Sequence, residues 1–474
     1  MYTKEKVSAS QITIEHRNQI GYKVLAGGSV TAIAGKYKIN REFVYSQKAR
    51  IKQLVESDEK LLKTPVVVLD KQMLEKIIIG CMLICKGSTE DTQRFLYWIF
   101  NLWVSIGKIS TIINEAASKA EKWNSSIDLG SIKIGANDEI FQGNSPVLVG
   151  VDPATTFTYL LEEAENRDST TWGYHFLEKE KHQNLQLETS VNDGGLGLRK
   201  GVKDAYPDAE IQIDTFHTEY DISKTVLASE RIALKNINEE EKLFKKLVKK
   251  ETSENMQEYE KAVGKTNVSV KAHDTLALLY IWIIELLSIG GYFYHERLEL
   301  FGFIIAEIEK IPIRNAYLDK ALKFLKENLC DILQFVRKAE VLMQKLAVEE
   351  NIPIEIVKKM WEQLRYSSES AKYNYLEAEI GLVLGTHYDD IRKKFDNLMS
   401  KIVRASSIVE CVNSLIRPYL FLKKVVPGKF LALLQFYFNA RDYRRSRRPE
   451  RIGKSPVEML TGQVYPNPLA ILGY

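Results

Sequence analysis

The chain has 474 residues, 45% of them apolar and 27% charged, which is too long for one ordinary core and apolar enough to bury several, so about two to four folded domains are expected. Its four cysteines show no paired metal-ligand spacing and its first residues lack the apolar core of a signal peptide, so neither a structural zinc site nor export is expected. The net charge of +4 is uneven: residues 1–64 hold 12 Lys and Arg against 6 Asp and Glu, and residues 441–454 hold 7 against 2, so both basic ends suit a polyanion.

In SVTAIAGKYKINREFVYSQKARIK, residues 29–52, Val30, Ile33 and Ala34 make one short apolar helical face. Lys38 to Asn40 reads as a turn, and Phe43, Val44 and Ile51 face a second helix. This is the pattern of a helix-turn-helix within a domain at 1–64. It leaves Arg41, Tyr45, Gln47, Lys48 and Arg50 outward, side chains suited to phosphates and base edges of double-stranded DNA. Residues 65–129 repeat the pattern as helix, break, helix, turn and long helix, with Ser105 capping the last and Lys108 joining the DNA-facing set. That segment reads either as a second helix-turn-helix or as a connector that only packs.

The period changes at residue 131. SIKIGANDEIFQG alternates, with Ile132, Ile134, Ala136, Asp138 and Ile140 on one face, and PVLVGVD and TTFTYLLEEA follow closely enough to be antiparallel neighbours. A helix at 168–182, a strand at 187–192, a helix at 195–205 with Leu196, Leu198, Val202 and Ala205 inward, and a strand at 210–214 complete the segment. Three hairpin strands followed by βαβ crossovers predict an α/β fold built on a mixed sheet.

Residues 218–405 show no strand and are expected to form an all-helical domain. Within it, LALLYIWIIELLSIGGYF at 276–293 approaches the length of a membrane span. Gly290 and Gly291 interrupt it and polar helices flank it, so a buried helix and no membrane association are expected. Afterwards SSIVECVNSLIRP reads as a helix that Pro418 ends or kinks. LALLQFYFNARDYRR reads as another, running into a tail where Arg444, Arg445, Arg447 and Arg448 grip phosphates.

Two strands carry or end on acids, Asp138 and Asp193, and the helix at 407–417 carries Glu410. If the first and fourth strands are neighbours, these three carboxylates converge, and without Lys or Arg between them they repel unless a cation sits among them. Mg²⁺ or Mn²⁺ fits beside a phosphate substrate, and two such ions about 4 Å apart suit phosphodiester cleavage or transfer. Asp152, in VGVDPAT, is the alternative first aspartate. Asp138 is preferred because an acid within the strand reaches the sheet edge, whereas one at a hairpin tip does not.

The order of these elements, NDGGLGL after the fourth strand, QIDTFH on the fifth, the helical insertion and the late glutamate resemble a DDE transposase of a bacterial insertion sequence. The likeness is to the Mutator-like and hAT-like groups, and GKSPVEMLTG near the end is similar to the tail of such enzymes. The resemblance implies an RNase H-like core in two parts, 130–217 and 406–474, interrupted by an all-helical insertion at 218–405. It also implies Asp138, Asp193 and Glu410 as catalytic metal ligands for two Mg²⁺ or Mn²⁺ ions.

Asp214 and His217 match a family motif; they orient the scissile phosphate or the metal cluster, or merely cap the next helix. Asn413 and Arg417, on the face of Glu410, are placed to touch the phosphate backbone. Trp361 matches an aromatic position that stacks on a flipped base, against the plainer reading of a core tryptophan. The implied function is binding of terminal inverted repeats, cleavage at the element's ends and joining of the 3′-hydroxyl to target DNA. A dimer or larger assembly, cytoplasmic and at the nucleoid, goes with it. Two other readings stay open, a catalytically silent or domesticated DNA-binding regulator and an RNase H-like nuclease that cuts without joining.

Overall fold

The computed structural model describes residues 11–57, 69–313, 315–422, 428–446 and 448–474, so Arg447 lies outside the described residues. The chain divides into two compact units: residues 1–124 with 418–474, and residues 125–417.

The first unit is helical throughout its described residues. Helices α1 (Ile14–Leu25), α2 (Val30–Tyr37) and α3 (Arg41–Ser57) close over a core of Ile20, Val24, Ile33, Ile39 and Val44. Each start has a capping side chain, from Thr13, Ser29 and Asn40, and Lys38 in a left-handed conformation stops α2. Gly21 lets α1 cross α3 closely, because a Cβ there would lie 2.7 Å from the Gln47 carbonyl oxygen. That crossing corrects one expectation. Gln47 is buried and its amide oxygen accepts from Arg50, so it is not an outward DNA-reading residue, whereas Arg41 and Tyr45 are exposed and Lys48 is half-buried.

Helices α4 (Lys71–Leu83), α5 (Thr89–Phe100) and α6 (Ile106–Ser126) follow, capped by Asp70, Ser88 and Ser105. The expected stripe from Ile109 to Ala120 on α6 is buried, and Lys108 is exposed. The chain's last segment packs against these helices. Trp123 meets Phe436 edge-on at 4.9 Å, the Asn124 amide donates to the Ala432 carbonyl at 2.8 Å, and the Tyr419 hydroxyl donates to the Leu83 carbonyl. Residues 418–474 therefore belong with the N-terminal helices, and not with the sheet, where the sequence had placed the whole of 406–474. The basic tail turns back on itself through a bridge between Tyr443 and Ile452; Arg444, Arg445 and Arg448 are exposed.

The second unit is built on one five-stranded mixed sheet, in the order β3-β2-β1-β4-β5. Strands β1 (Ile134–Gln142), β2 (Ser145–Val151) and β3 (Thr158–Glu163) pair antiparallel as successive hairpins. Strands β4 (Thr189–Asn192) and β5 (Glu210–Ile213) join parallel to β1 through crossover helices α7 (Ser169–Gln183) and α8 (Leu196–Ala205). Tyr159 lies flat across β1 and β2, donating to Asn137, because Gly135 and Gly150 carry no side chain there: a Cβ on Gly150 would sit 2.4 Å from the ring. Leu198 and Val202 of α8 are buried as expected, but Leu196 is 81% exposed, since the first residue of the helix points away from the sheet.

Between β5 and the late helix comes the insertion, which opens with two 35-residue helices, α9 (Thr215–Lys249) and α10 (Ser253–Leu287). Six shorter helices follow: α11 (Tyr294–Glu309), α12 (Ala316–Ile332), α13 (Gln334–Glu349), α14 (Ile354–Gln363), α15 (Ala371–Leu384) and α16 (Tyr388–Met399). Gly290 and Gly291, both at positive φ, turn the chain out of the apolar run, and among the described residues no helix is long and apolar enough to cross a membrane. Arg297 on α11 is wholly buried and holds that turn, donating to the carbonyls of Leu286, Ser288, Gly290 and Tyr292. Trp361 on α14 packs over it, 5.8 Å from ring centre to guanidinium, and its own carbonyl accepts from the Gly291 amide at 3.2 Å. Fully buried, Trp361 has no face to offer a flipped base, and the core reading replaces the stacking one. The late helix α17 (Ser407–Leu422) contains Pro418 without ending there, because a proline removes one N–H bond but leaves the rest of the ladder intact.

Candidate active site

The strand register assembles three aspartates at one level. Strand β1 pairs with β4 as Ala136 with Val191, and β4 pairs with β5 as Asn192 with Ile213. Carried on, the same register sets Asp138 beside Asp193 and Asp193 beside Asp214, at the carboxyl ends of three parallel strands, where open α/β sheets leave their crevice.

Their environments differ sharply. Asp138 accepts from the Asn413 amide at 2.6 Å, and burial, reinforced by the negative charges of Glu410, Asp193 and Glu139, pushes its carboxyl up to about 7. Asp193 is exposed on the turn after β4. Gly195 N–H donates to its Oδ1 at 2.9 Å, and Gly194, at φ +89°, donates to the Asn192 side chain at 3.0 Å. The glycines of NDGG are thus required by the turn that presents the carboxylate.

Asp214 is fully buried. Its Oδ1 accepts from the backbone of Phe216 and His217, capping α9, while its Oδ2 accepts the Ser406 amide at 2.9 Å and the Ser406 hydroxyl. Burial works against the charge, but these donors and His217 outweigh it and hold the carboxyl below the usual range. With its lone pairs engaged in this way, Asp214 is a clasp between the two ends of the insertion and the cap reading is correct. Thr215 N–H also donates to the Arg404 carbonyl at 2.9 Å, closing the same junction. Ser406 is the site residue that sequence reasoning missed. The visible signal was Ser407 three residues before Glu410, the spacing of a capping box, but the serine that opens α17 is the preceding one, and its hydroxyl turns to Asp214.

His217 joins the clasp to the acids. Its Nδ1 lies 2.9 Å from Asp214 Oδ2 and its Nε2 lies 3.6 Å from Glu410 Oε1. The Asp214 hydrogen bond, aided by the charges of Asp214, Asp193 and Glu410, raises the imidazole to about 9 against the opposing effect of burial. Arg417 reaches the other Glu410 oxygen at 3.4 Å. The acids therefore do not converge without cationic partners, as the sequence implied: protonated His217 and Arg417 flank Glu410, and Arg167 pairs with Glu139 at 2.8 Å. Asn413 is another correction. It is buried and donates to Asp138, so it braces an acid and does not face a phosphate backbone. Arg417 is exposed.

Asp152 stands apart. Its two oxygens accept the backbone N–H groups of Ala154 and Thr155, at 3.1 and 3.0 Å, in the turn between β2 and β3. Among the described residues, no three His, Cys, Asp or Glu side chains are drawn closely enough to form a closed metal cage. The donor set offered by Asp138, Asp193 and Glu410 is nevertheless all oxygen, and the raised proton affinity of Asp138 marks a surplus of negative charge that suits a hard divalent cation.

No protein-family model matches the chain, and no curated protein does. The chemistry of this cluster is what a functional reading has to rest on.

Proposed function

We propose that residues 125–417 form an RNase H-like catalytic core carrying a helical insertion, and that the chain is a metal-dependent DDE transposase acting on double-stranded DNA. The observation that carries this reading is the placement of Asp138 and Asp193 on adjacent parallel strand ends, with Glu410 close enough to raise the Asp138 carboxyl. The order β3-β2-β1-β4-β5, with the first three strands antiparallel, supports the RNase H-like assignment.

Two Mg²⁺ or Mn²⁺ ions, when bound to Asp138, Asp193 and Glu410, supply the charge that activates the attacking oxygen and stabilises the leaving one. Asn413 fixes the rotamer of Asp138. Asp214 and Ser406 tie the first turn of α9 to the start of α17, which keeps His217 and Arg417 against Glu410 and steadies an otherwise repulsive cluster. In the other unit, Arg41, Tyr45 and Lys48 on α3, Lys108 on α6, and Arg444, Arg445 and Arg448 in the tail supply the DNA-facing set. Its bacterial setting places the enzyme at the nucleoid, working as a dimer or larger assembly on paired element ends.

The test is a strand-transfer assay on duplexes carrying the inverted repeats that flank the coding sequence. The expected result is joined product with Mg²⁺. Asp138→Asn, Asp193→Asn and Glu410→Gln each abolish cleavage while leaving DNA binding intact, and Asp152→Asn still cleaves. Nicks without joined product identify a nuclease, and a mobility shift without cutting identifies a silent regulator; either outcome overturns the transposase reading.

A further inference from the structure

In the first unit, α5 is built from two unlike halves. Its opening turns hold a capping box of Ser88 and Asp91 and the charged group Glu90, Asp91 and Arg94. From residue 95 to residue 106, FLYWIFNLWVSI, there is no charged residue at all. Only Leu96 and Val104 of this stretch are buried. Trp98 is 76% exposed, Trp103 67%, and Phe95, Tyr97, Ile99 and Phe100 also stand in solvent.

This apolar surface is ordered. Asn101, in a left-handed conformation, ends the helix, Leu102 N–H returns to the Leu96 carbonyl at 3.2 Å, and the Gln93 amide donates to the Val104 carbonyl at 2.7 Å. Those bonds fold the following loop back along the helix and hold Trp103 edge-on to Tyr97 at 5.7 Å, while Phe95 meets Phe100 at 6.0 Å. A soluble chain rarely leaves so many aromatics together in water unless something covers them.

We infer that this face of α5 and its loop is the interface with a second copy of the same chain. Two arguments favour that occupant. Taking roughly 200 Å² for a fully exposed aromatic side chain, the face offers about 700 Å², close to the ~800 Å² that each partner of a stable interface contributes. It also carries no charge to select a charged partner, whereas an isologous contact across a two-fold axis needs only self-complementary shape, which two helices supply by packing ridges into grooves. Tryptophans at the centre of such a face are the residues expected to dominate its energy. The inference concerns the protein alone and does not depend on the transposase reading.

The experiment is sedimentation velocity of the full chain at micromolar concentration, without DNA or metal, beside the double variant Trp98→Glu/Trp103→Glu and the single variant Ile99→Asp. The wild type is expected at twice the 54.3 kDa chain mass. The double variant is expected to associate about 100-fold more weakly or worse, the scale of losing two aromatic anchors. Because these side chains are exposed, far-UV circular dichroism and the melting temperature are expected to stay unchanged, which separates loss of association from loss of fold. A wild-type monomer overturns the inference, as does a double variant that remains dimeric. Flotation of a monomeric wild type with neutral phosphatidylcholine vesicles would assign the face to a lipid surface instead.

Discussion

Arg297 and Asp138 are both ionisable groups drawn largely out of water in the same unit, and the fold treats them in opposite ways. Around Arg297, four backbone carbonyls of the Gly290–Gly291 turn accept its guanidinium donors, with Phe335 and Trp361 over its face. Burial, with Arg404 nearby, lowers its proton affinity to about 10, yet it remains charged at any ordinary pH. Around Asp138 the one side-chain donor is Asn413, and the neighbours that matter electrostatically are three more carboxylates. A buried charge whose partners are complete belongs to the scaffold, whereas one that the fold leaves poorly matched marks chemistry still to be supplied.

The largest effect is expected where the match is complete. Replacing Arg297 with Met leaves several buried carbonyls without a donor, and about 3–5 kcal/mol of stability should be lost. Urea unfolding followed by circular dichroism measures this. A midpoint within experimental scatter of the wild type would mean that water replaces the guanidinium and that the turn is not held by it.

At Asp138 the sign is reversed. The folded state keeps this proton up to about pH 7, whereas the unfolded chain releases it near the ordinary 3.8, so the folded state binds more protons between those values and stability falls as pH rises through that window. Asp138→Asn should remove that part of the pH dependence and stabilise the protein at pH 8 by on the order of 2 kcal/mol, after allowance for solvent screening. Mg²⁺ should stabilise the wild type at pH 8 and leave the variant nearly unaffected. Thermal melts at pH 5 and pH 8, with and without Mg²⁺, decide the matter; a variant as pH-sensitive as the wild type would dissolve the contrast with Arg297.

The smallest effect concerns His217, which stands between the two cases because the fold gives it a buried partner and leaves its other nitrogen towards the acids. Its folded value of about 9 lies above the ordinary 6.5, so the stability it contributes is fully present below 6.5 and is lost as pH rises through 9. Asp214→Asn removes the leading cause, and the His217 titration should move back towards 6.5. Imidazole proton shifts, assigned with a His217→Gln variant, report it directly. An unmoved titration would show that Glu410 and Asp193, and not the clasp, hold the proton.

Much of this arrangement was legible in the chain because it is written in local periods. The alternation through β1, the glycines after Asp193 and the apolar stripe from Ile109 to Ala120 each follow from a two-residue or 3.6-residue repeat, which burial of one face enforces. So do the acids at the strand ends: the order of strands and the turn after β4 were enough to choose Asp138 and Asp193 as a pair. Trp361, Gln47 and Asn413 were misread for one shared reason. Each lies on an amphipathic helix at a position whose facing neighbour comes from elsewhere in the chain, and no local repeat tells whether that neighbour is protein or solvent.

What the sequence determined by itself was therefore the set of elements and the acids they carry. What only the tertiary structure decided was partnership: Ser406 against Asp214 across 192 residues, Asn413 against Asp138 across 275, and the C-terminal segment against α6. The physical reason is that such contacts are selected by the packing of whole elements, which fixes positions a side chain can reach to within an ångström, while the chain between the partners carries no record of the distance it closes.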